Sequence, residues 1–124
     1  MEQAVGYAPG HGMKAVDPEL RNLSVAEGFA ILPFSSSAHG FFAKLQECGA
    51  VYQNGQWNHT ESFRGNKNWL SDGNGVAYNR LLSESSETGL SVNTLSLRYL
   101  TNQLNTIPVM SVSRPEQLDG LENL

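Results

Sequence analysis

The chain has 124 residues, of which 40% are hydrophobic, and its formal net charge is −4 with the three histidines neutral. This length predicts one domain spanning residues 1–124. The mildly acidic balance, without a basic stripe, argues against a nucleic-acid-binding protein. Cys48 is the only cysteine, so no intrachain disulfide is expected, and a reducing, cytoplasmic setting is the simplest inference. No apolar run approaches the length of a membrane span, so we expect no membrane association.

The first elements in chain order are a short apolar run, a helix and a buried strand. Residues 3–8 are small and mostly apolar and are predicted to form a strand. Asp17 and Pro18 predict a helix start, because an aspartate caps the first N–H groups and proline is favoured at the first helical position. Gly28 ends this helix. Residues 29–34 are almost wholly apolar, which is typical of a parallel strand covered on both faces.

A polar loop and a second helix follow this strand. Residues 35–40 are small and polar, and residues 41–45 begin a short helix. Strands alternating with helices at this spacing indicate βα units, and therefore an α/β fold with parallel strands and right-handed crossovers.

The middle of the chain shows less regular patterning. Residues 50–73 are predicted to be a long loop, and loops of this length are usually functional lids or disordered segments. Within it, Asn54-Gly55 favours a tight hairpin turn. Residues 75–82 open a helix that stops before Thr88-Gly89, and Ser91 caps another helix whose wide apolar stripe predicts burial.

The last predicted element is a strand followed by a helix start. Residues 107–110 are apolar and are predicted to form a buried strand, and Pro115 occupies a first helical position. The first N–H groups of a helix lack internal partners, and Arg114 beside them can fork onto a phosphate, so this turn is a candidate anion site. The alternative is a parallel strand feeding a surface helix that binds nothing.

Two stretches carry a resemblance to one family. Residues 108–118, Pro-Val-Met-Ser-Val-Ser-Arg-Pro-Glu-Gln-Leu, resemble the last strand, loop and helix of the aldo/keto reductases. Residues 34–42 resemble the end of the seventh strand of that family and its following loop, and the likeness spans roughly residues 28–118. A complete (β/α)₈ barrel needs about 250 residues. The resemblance therefore implies a partial TIM barrel, made of C-terminal βα units only.

The resemblance also implies a cofactor site. In the family the last loop binds the adenine-side phosphate of NADPH, and an aromatic residue on the seventh strand stacks on the nicotinamide. The loop after that strand hydrogen-bonds the pyrophosphate, and a glutamine on the sixth strand bonds the nicotinamide carboxamide. We expect NADP, with NAD as the alternative, and a small carbonyl substrate. The implied cofactor-binding residues are Gln3, Phe34, Ser35, Ser36, Ser37, Gly40, Ser111, Ser113, Arg114 and Gln117.

The chain departs from the family in its catalytic residues. No segment matches the motifs that carry the catalytic Asp, Tyr, Lys and His, so no catalytic residue is assigned, and the histidine spacing predicts no metal site. The leading expectation is the C-terminal, cofactor-binding part of an NADP-dependent aldo/keto reductase, inactive alone. The alternatives are a truncated remnant or a non-catalytic binding or regulatory module. Open strand edges predict pairing with a complementary half-barrel chain or self-association.

Overall fold

The structure, a computed structural model, describes residues 16–124. The strand predicted over residues 3–8, and with it Gln3, lie outside the described residues. The described part contains helices α1 (Pro18–Glu27), α2 (Phe41–Glu47), α3 (Asp72–Thr88) and α4 (Val92–Thr101), and an antiparallel hairpin of β1 (Val51–Gln53) and β2 (Gln56–Asn58). Short 3₁₀ helices cover Ala38–Gly40, Lys67–Trp69, Pro115–Leu118 and Leu121–Asn123.

Helix α1 begins and ends where the sequence predicts. The Asp17 carboxylate accepts the Leu20 N–H at 2.8 Å, which supplies a partner to a helix-terminal donor. Pro18 takes the first helical position, and Gly28 adopts the left-handed conformation, with φ 73°, that ends the helix. Local side-chain chemistry therefore determines both ends of α1.

Helix α3 is longer than predicted. It is capped by Ser71, whose hydroxyl accepts the Asn74 N–H at 3.2 Å, so it starts three residues before the predicted Gly75. Position 75 lies inside the helix, and it requires glycine because a Cβ there would overlap the Tyr52 ring of β1. This close approach holds the hairpin against the helix. Helix α4 begins after its predicted cap, Ser91, whose hydroxyl accepts an N–H at 3.0 Å.

The core is an aromatic cluster that includes residues from the predicted loop 50–73. Phe41 of α2 is 1% exposed and makes edge-to-face contacts with Phe63 and Trp69, each at 5.7 Å between ring centroids. The Asn54-Gly55 turn forms, with positive φ at both residues, as a tight hairpin requires. The expectation of a segment with little order is therefore wrong for much of residues 50–73, because buried aromatics fix it to the helices.

The two predicted parallel strands are reduced to an isolated bridge, between Ile31 and Thr106. The Ile31 N–H donates to the Asn105 carbonyl at 2.7 Å, and the Ile107 N–H donates to the Ile31 carbonyl at 2.9 Å. The next donor in a parallel ladder would be residue 33, which is a proline and has no N–H. The regular strands expected over residues 29–34 and 107–110 are therefore not present in the described part of the chain.

Side chains alternate across this bridge. Ile31 is 7% exposed and faces inward, whereas its neighbours on the other face remain about half exposed. We call that second face the exposed strand face; it comprises Leu32, Phe34, Ile107 and Val109. The expectation of cover on both faces is therefore wrong within residues 16–124.

Candidate functional site

Two loops that are far apart in the sequence line one groove of about 840 Å³. One loop follows Pro33 and the other follows Val109, and the N–H of Val109 donates to the Pro33 carbonyl at 3.1 Å. Because the paired segments run parallel, the loops leave the same edge. The groove contains the nine predicted site residues of the described part: Phe34, Ser35, Ser36, Ser37, Gly40, Ser111, Ser113, Arg114 and Gln117. Their role toward a cofactor stays a prediction.

The loop of residues 35–40 has a constrained backbone. Ser35, Ala38 and His39 have φ values of 55°, 49° and 56°, in the left-handed region that non-glycine residues adopt at a cost of about 1–2 kcal/mol each. The Ser36 hydroxyl donates to the Pro33 carbonyl at 2.8 Å, and the Ala38 N–H donates to the Ser35 carbonyl at 2.8 Å. The Ser36 hydroxyl therefore donates its proton within the loop, whereas the sequence predicted that it would donate to a phosphate.

The Arg114 loop is held by Gln117. The Gln117 carboxamide oxygen accepts the Ser113 N–H at 2.8 Å and the Arg114 N–H at 3.1 Å. The helix that begins at Pro115 is a single 3₁₀ segment of four residues. The N–H groups of Ser113 and Arg114, which precede the helix, therefore have partners within the loop. The exposed Arg114 guanidinium is a further group in this loop that can bind an anion.

The groove carries charges of both signs. The cations are Lys44 and Arg114, and the carboxylates are those of Glu47, Glu116 and Asp119. Lys44 is not among the site residues predicted from the sequence. The helical spacing indicates that Lys44 lies near the site. Residue 44 follows Gly40 by four positions on a predicted helix, so both lie on the same face, one turn apart.

Two tyrosines with raised pKa values lie outside the groove. A hydrogen bond to Asp72, with its hydroxyl donating to the carboxylate at 2.9 Å, raises the pKa of Tyr52. Burial, with a smaller contribution from nearby Cys48, raises the pKa of Tyr78, which is 1% exposed and donates to the Ala50 carbonyl at 3.1 Å. Both hydroxyls join elements of the core, so these shifts report packing rather than catalysis.

Residues 16–124 contain neither the side-chain grouping of a metal site nor a helix suited to span a membrane. Within that range, no group of three or more His, Cys, Asp or Glu side chains is placed to hold a metal ion. None of the helices in the same range is both long and apolar enough to cross a bilayer.

A groove at the adjacent ends of parallel segments is typical of α/β proteins that bind nucleotides. The model of the aldo/keto reductase family matches residues 5–123 of this chain. The chain therefore belongs to the aldo/keto reductase family, a family of oxidoreductases that generally use NAD(P)H and have a TIM-barrel-like α/β fold. Comparison with curated proteins and with solved structures gives no match.

Proposed function

We propose that the groove binds NADP(H), and that the chain is the cofactor-binding, C-terminal part of an NADP-dependent aldo/keto reductase. One observation carries the proposal: residues chosen from two separate sequence stretches line a single groove. Its volume of about 840 Å³ lies within the range of about 300–1,000 Å³ that is usual for cofactor and ligand pockets.

The groove residues divide by chemistry into those suited to phosphates and one suited to a ring. The Arg114 guanidinium, with the hydroxyls of Ser111 and Ser113, forms a donor set for the adenine-side phosphate. The hydroxyls of Ser35 and Ser37 offer donors for the pyrophosphate, whereas the Ser36 hydroxyl already donates to the Pro33 carbonyl. Phe34 is 53% exposed, so one face of its ring is available for stacking on a nicotinamide. Three carboxylates in the groove repel the negative charge of the cofactor. Its binding therefore depends mainly on the positive charges of Arg114 and Lys44.

The proposed contribution of this chain to the reaction is binding and orientation. A bound nicotinamide supplies hydride to a carbonyl carbon or accepts it from an alcohol. Arg114 and the serines hold the phosphates, and Phe34 fixes the plane of the ring. Proton transfer to the carbonyl oxygen needs an acid, and no segment matches the family's catalytic motifs. We therefore expect the 124-residue chain to bind cofactor without turning over substrate.

A non-catalytic binding module is the second candidate. It is favoured by the hydrogen bonds from the Ser113 and Arg114 N–H groups to Gln117, because a loop whose donors are satisfied internally needs no phosphate. In that case the groove has the shape of a cofactor site but does not bind NADP(H) with appreciable affinity.

Binding and turnover measured on the same preparation distinguish these candidates. NADPH fluorescence titrated against the purified chain should saturate, and NADPH oxidation with a panel of aldehydes should stay at the rate without protein. Saturation without turnover supports the cofactor-binding proposal. An absence of binding would favour the non-catalytic module, and robust aldehyde reduction would contradict the proposal that the catalytic acid is missing.

A further inference from the structure

A second cavity, of about 160 Å³, lies beside the loop of residues 35–37. We call it the inner cavity. Its walls are mainly apolar and aromatic and include Pro33, Phe42, Trp69, Tyr99 and Leu100. An apolar cavity of about 150 Å³ is large enough to take a benzene ring. The inner cavity therefore has the size and the lining of a site for one aromatic ring.

Arg21 of α1 gives the inner cavity a positive charge. Its side chain lines the cavity and is half-buried. Within residues 16–124 the Arg21 guanidinium has no ion pair or hydrogen bond. A guanidinium beside an apolar cavity presents a fork of N–H donors that matches the two oxygens of a carboxylate.

Asn74 supplies a second polar group, and it is 3% exposed. Its amide nitrogen donates to the Trp69 carbonyl at 2.8 Å. Its amide oxygen accepts no hydrogen bond from any group in residues 16–124. A carboxylate such as benzoate has no donor for this oxygen, so the oxygen is suited to an ordered water and does not contribute to recognition of a carboxylate. The Ser96 hydroxyl, by contrast, donates to the Asn93 carbonyl at 2.8 Å and needs no ligand.

We propose that the inner cavity binds a small aromatic carboxylate about the size of benzoate. The ring occupies the space between Phe42, Trp69 and Leu100, and the carboxylate accepts hydrogen bonds from the Arg21 guanidinium. Burial of the ring provides most of the affinity, and Arg21 provides the preference for an anion. The inner cavity shares Phe34 and Ser35 to Ser37 with the groove, whereas Arg21, Phe42 and Trp69 line the inner cavity alone.

Three probes that differ mainly in charge test the proposal: sodium benzoate, toluene and benzylamine hydrochloride. Each is titrated into the ¹⁵N-labelled chain while the indole N–H resonances of the two tryptophans are followed. A Trp57→Phe variant assigns the Trp69 resonance. Benzoate should shift Trp69 with an affinity about tenfold above that of toluene, and benzylammonium should bind least. Equal shifts with benzoate and benzylammonium would overturn the proposal.

Two arginine variants isolate the role of the guanidinium. Arg21→Gln should reduce benzoate affinity by roughly tenfold and leave toluene affinity unchanged. The matched control is Arg98→Gln, an exposed arginine on α4 that lines neither cavity, and it should change neither affinity. Unchanged benzoate binding in folded Arg21→Gln would contradict the assignment. If that variant does not fold, Arg21→Lys, which keeps the charge but loses the fork, should weaken benzoate binding severalfold.

Discussion

The N–H of Val109 donates to the carbonyl oxygen of Pro33 at 3.1 Å, and this bond joins the bases of the two groove-lining loops. The Pro33 carbonyl accepts this bond, but proline has no N–H to donate to the partner segment. Few hydrogen bonds therefore pair the two segments. The spacing between the loops therefore depends strongly on Val109.

The first prediction concerns this hydrogen bond. Val109→Pro removes the N–H and should lower the free energy of unfolding by about 0.5–1.5 kcal/mol, because the Pro33 carbonyl loses one of its two donors and keeps only the Ser36 hydroxyl. It should also weaken NADPH binding, because the two loops separate. Val109→Ala keeps the N–H and serves as the control for the lost side chain. Denaturant unfolding and NADPH titration measure both effects, and equal affinity in the two variants would contradict the proposed role.

A second prediction concerns Arg114. Arg114→Ala should reduce NADPH affinity by ten- to a hundredfold, because a charge-assisted hydrogen bond contributes about 1.5–3 kcal/mol. Arg98→Ala removes a cation of the same type outside the groove and should have little effect. Fluorescence titration of both variants at one ionic strength provides the comparison. If the two variants bind equally, Arg114 does not hold a phosphate.

The third prediction separates the two roles open to Gln117. Gln117→Leu removes the acceptor for the Ser113 and Arg114 N–H groups, so their amide hydrogen exchange should become faster. Gln117→Glu keeps an acceptor and should preserve slow exchange, but its negative charge should weaken NADPH binding. Exchange measured by NMR, together with the titration, gives both results. Slow exchange in Gln117→Leu would show that Gln117 does not hold the loop.

The fourth prediction follows from burial of Tyr78, which raises the pKa of its hydroxyl above the ordinary value of 10.0. The folded chain then keeps this proton to higher pH than the unfolded chain does. The contribution of Tyr78 to stability is complete below about pH 10 and is lost as the pH rises through the folded-state pKa. Tyr78→Phe should make the alkaline fall in unfolding free energy shallower. It should also cost about 1–2 kcal/mol at neutral pH, because the Ala50 carbonyl loses its donor.

The alkaline prediction is checked by equilibrium unfolding at a series of pH values and by the difference in tyrosinate absorbance between the wild-type chain and Tyr78→Phe. A difference titration centred at or below the ordinary tyrosine pKa would contradict it.

The fifth prediction concerns the exposed strand face. Leu32 and Ile107 are 59% and 58% exposed, and an uncovered apolar face beside a strand edge promotes association. We expect the chain to sediment as a concentration-dependent mixture, and a Leu32→Lys, Ile107→Lys double variant to shift it toward monomer. Val76→Lys alters an exposed apolar residue of α3 and is the control. A wild-type chain that is monomeric at all concentrations would refute this prediction.

The sequence predicts both ends of α1 and the start of α4, because the chemistry that determines them is local. Asp17, Gly28 and Ser91 act within one turn of their own helix. The Asn54-Gly55 turn is local in the same sense. It connects strands of only three residues each, so the turn residues determine their register.

Contacts between distant residues were harder to predict. Polar residues flank the aromatic residues of segment 50–73, so the sequence does not indicate that they are buried. The contacts of Phe63 and Trp69 with Phe41 show that this segment belongs to the core. The apolar run 29–34 predicts a strand, but Pro33 removes the donor that a continuous ladder needs. The membership of the groove follows from the family resemblance of residues 34–42 and 108–118. The role of Gln117 in holding the loop depends on a side-chain direction that the sequence does not define.

The bridge between Ile31 and Thr106 has a consequence for folding as well as for binding. Helices α2, α3 and α4 and the hairpin all lie between these two residues in the chain, so the bridge closes a loop that contains most of the core. Closing so long a loop costs entropy that only the packed core can offset. A nucleotide held by both groove-lining loops would bind the closed state alone. Its binding free energy would therefore be added to the stability of every element between them, and amide protection deep in the core should rise with cofactor concentration.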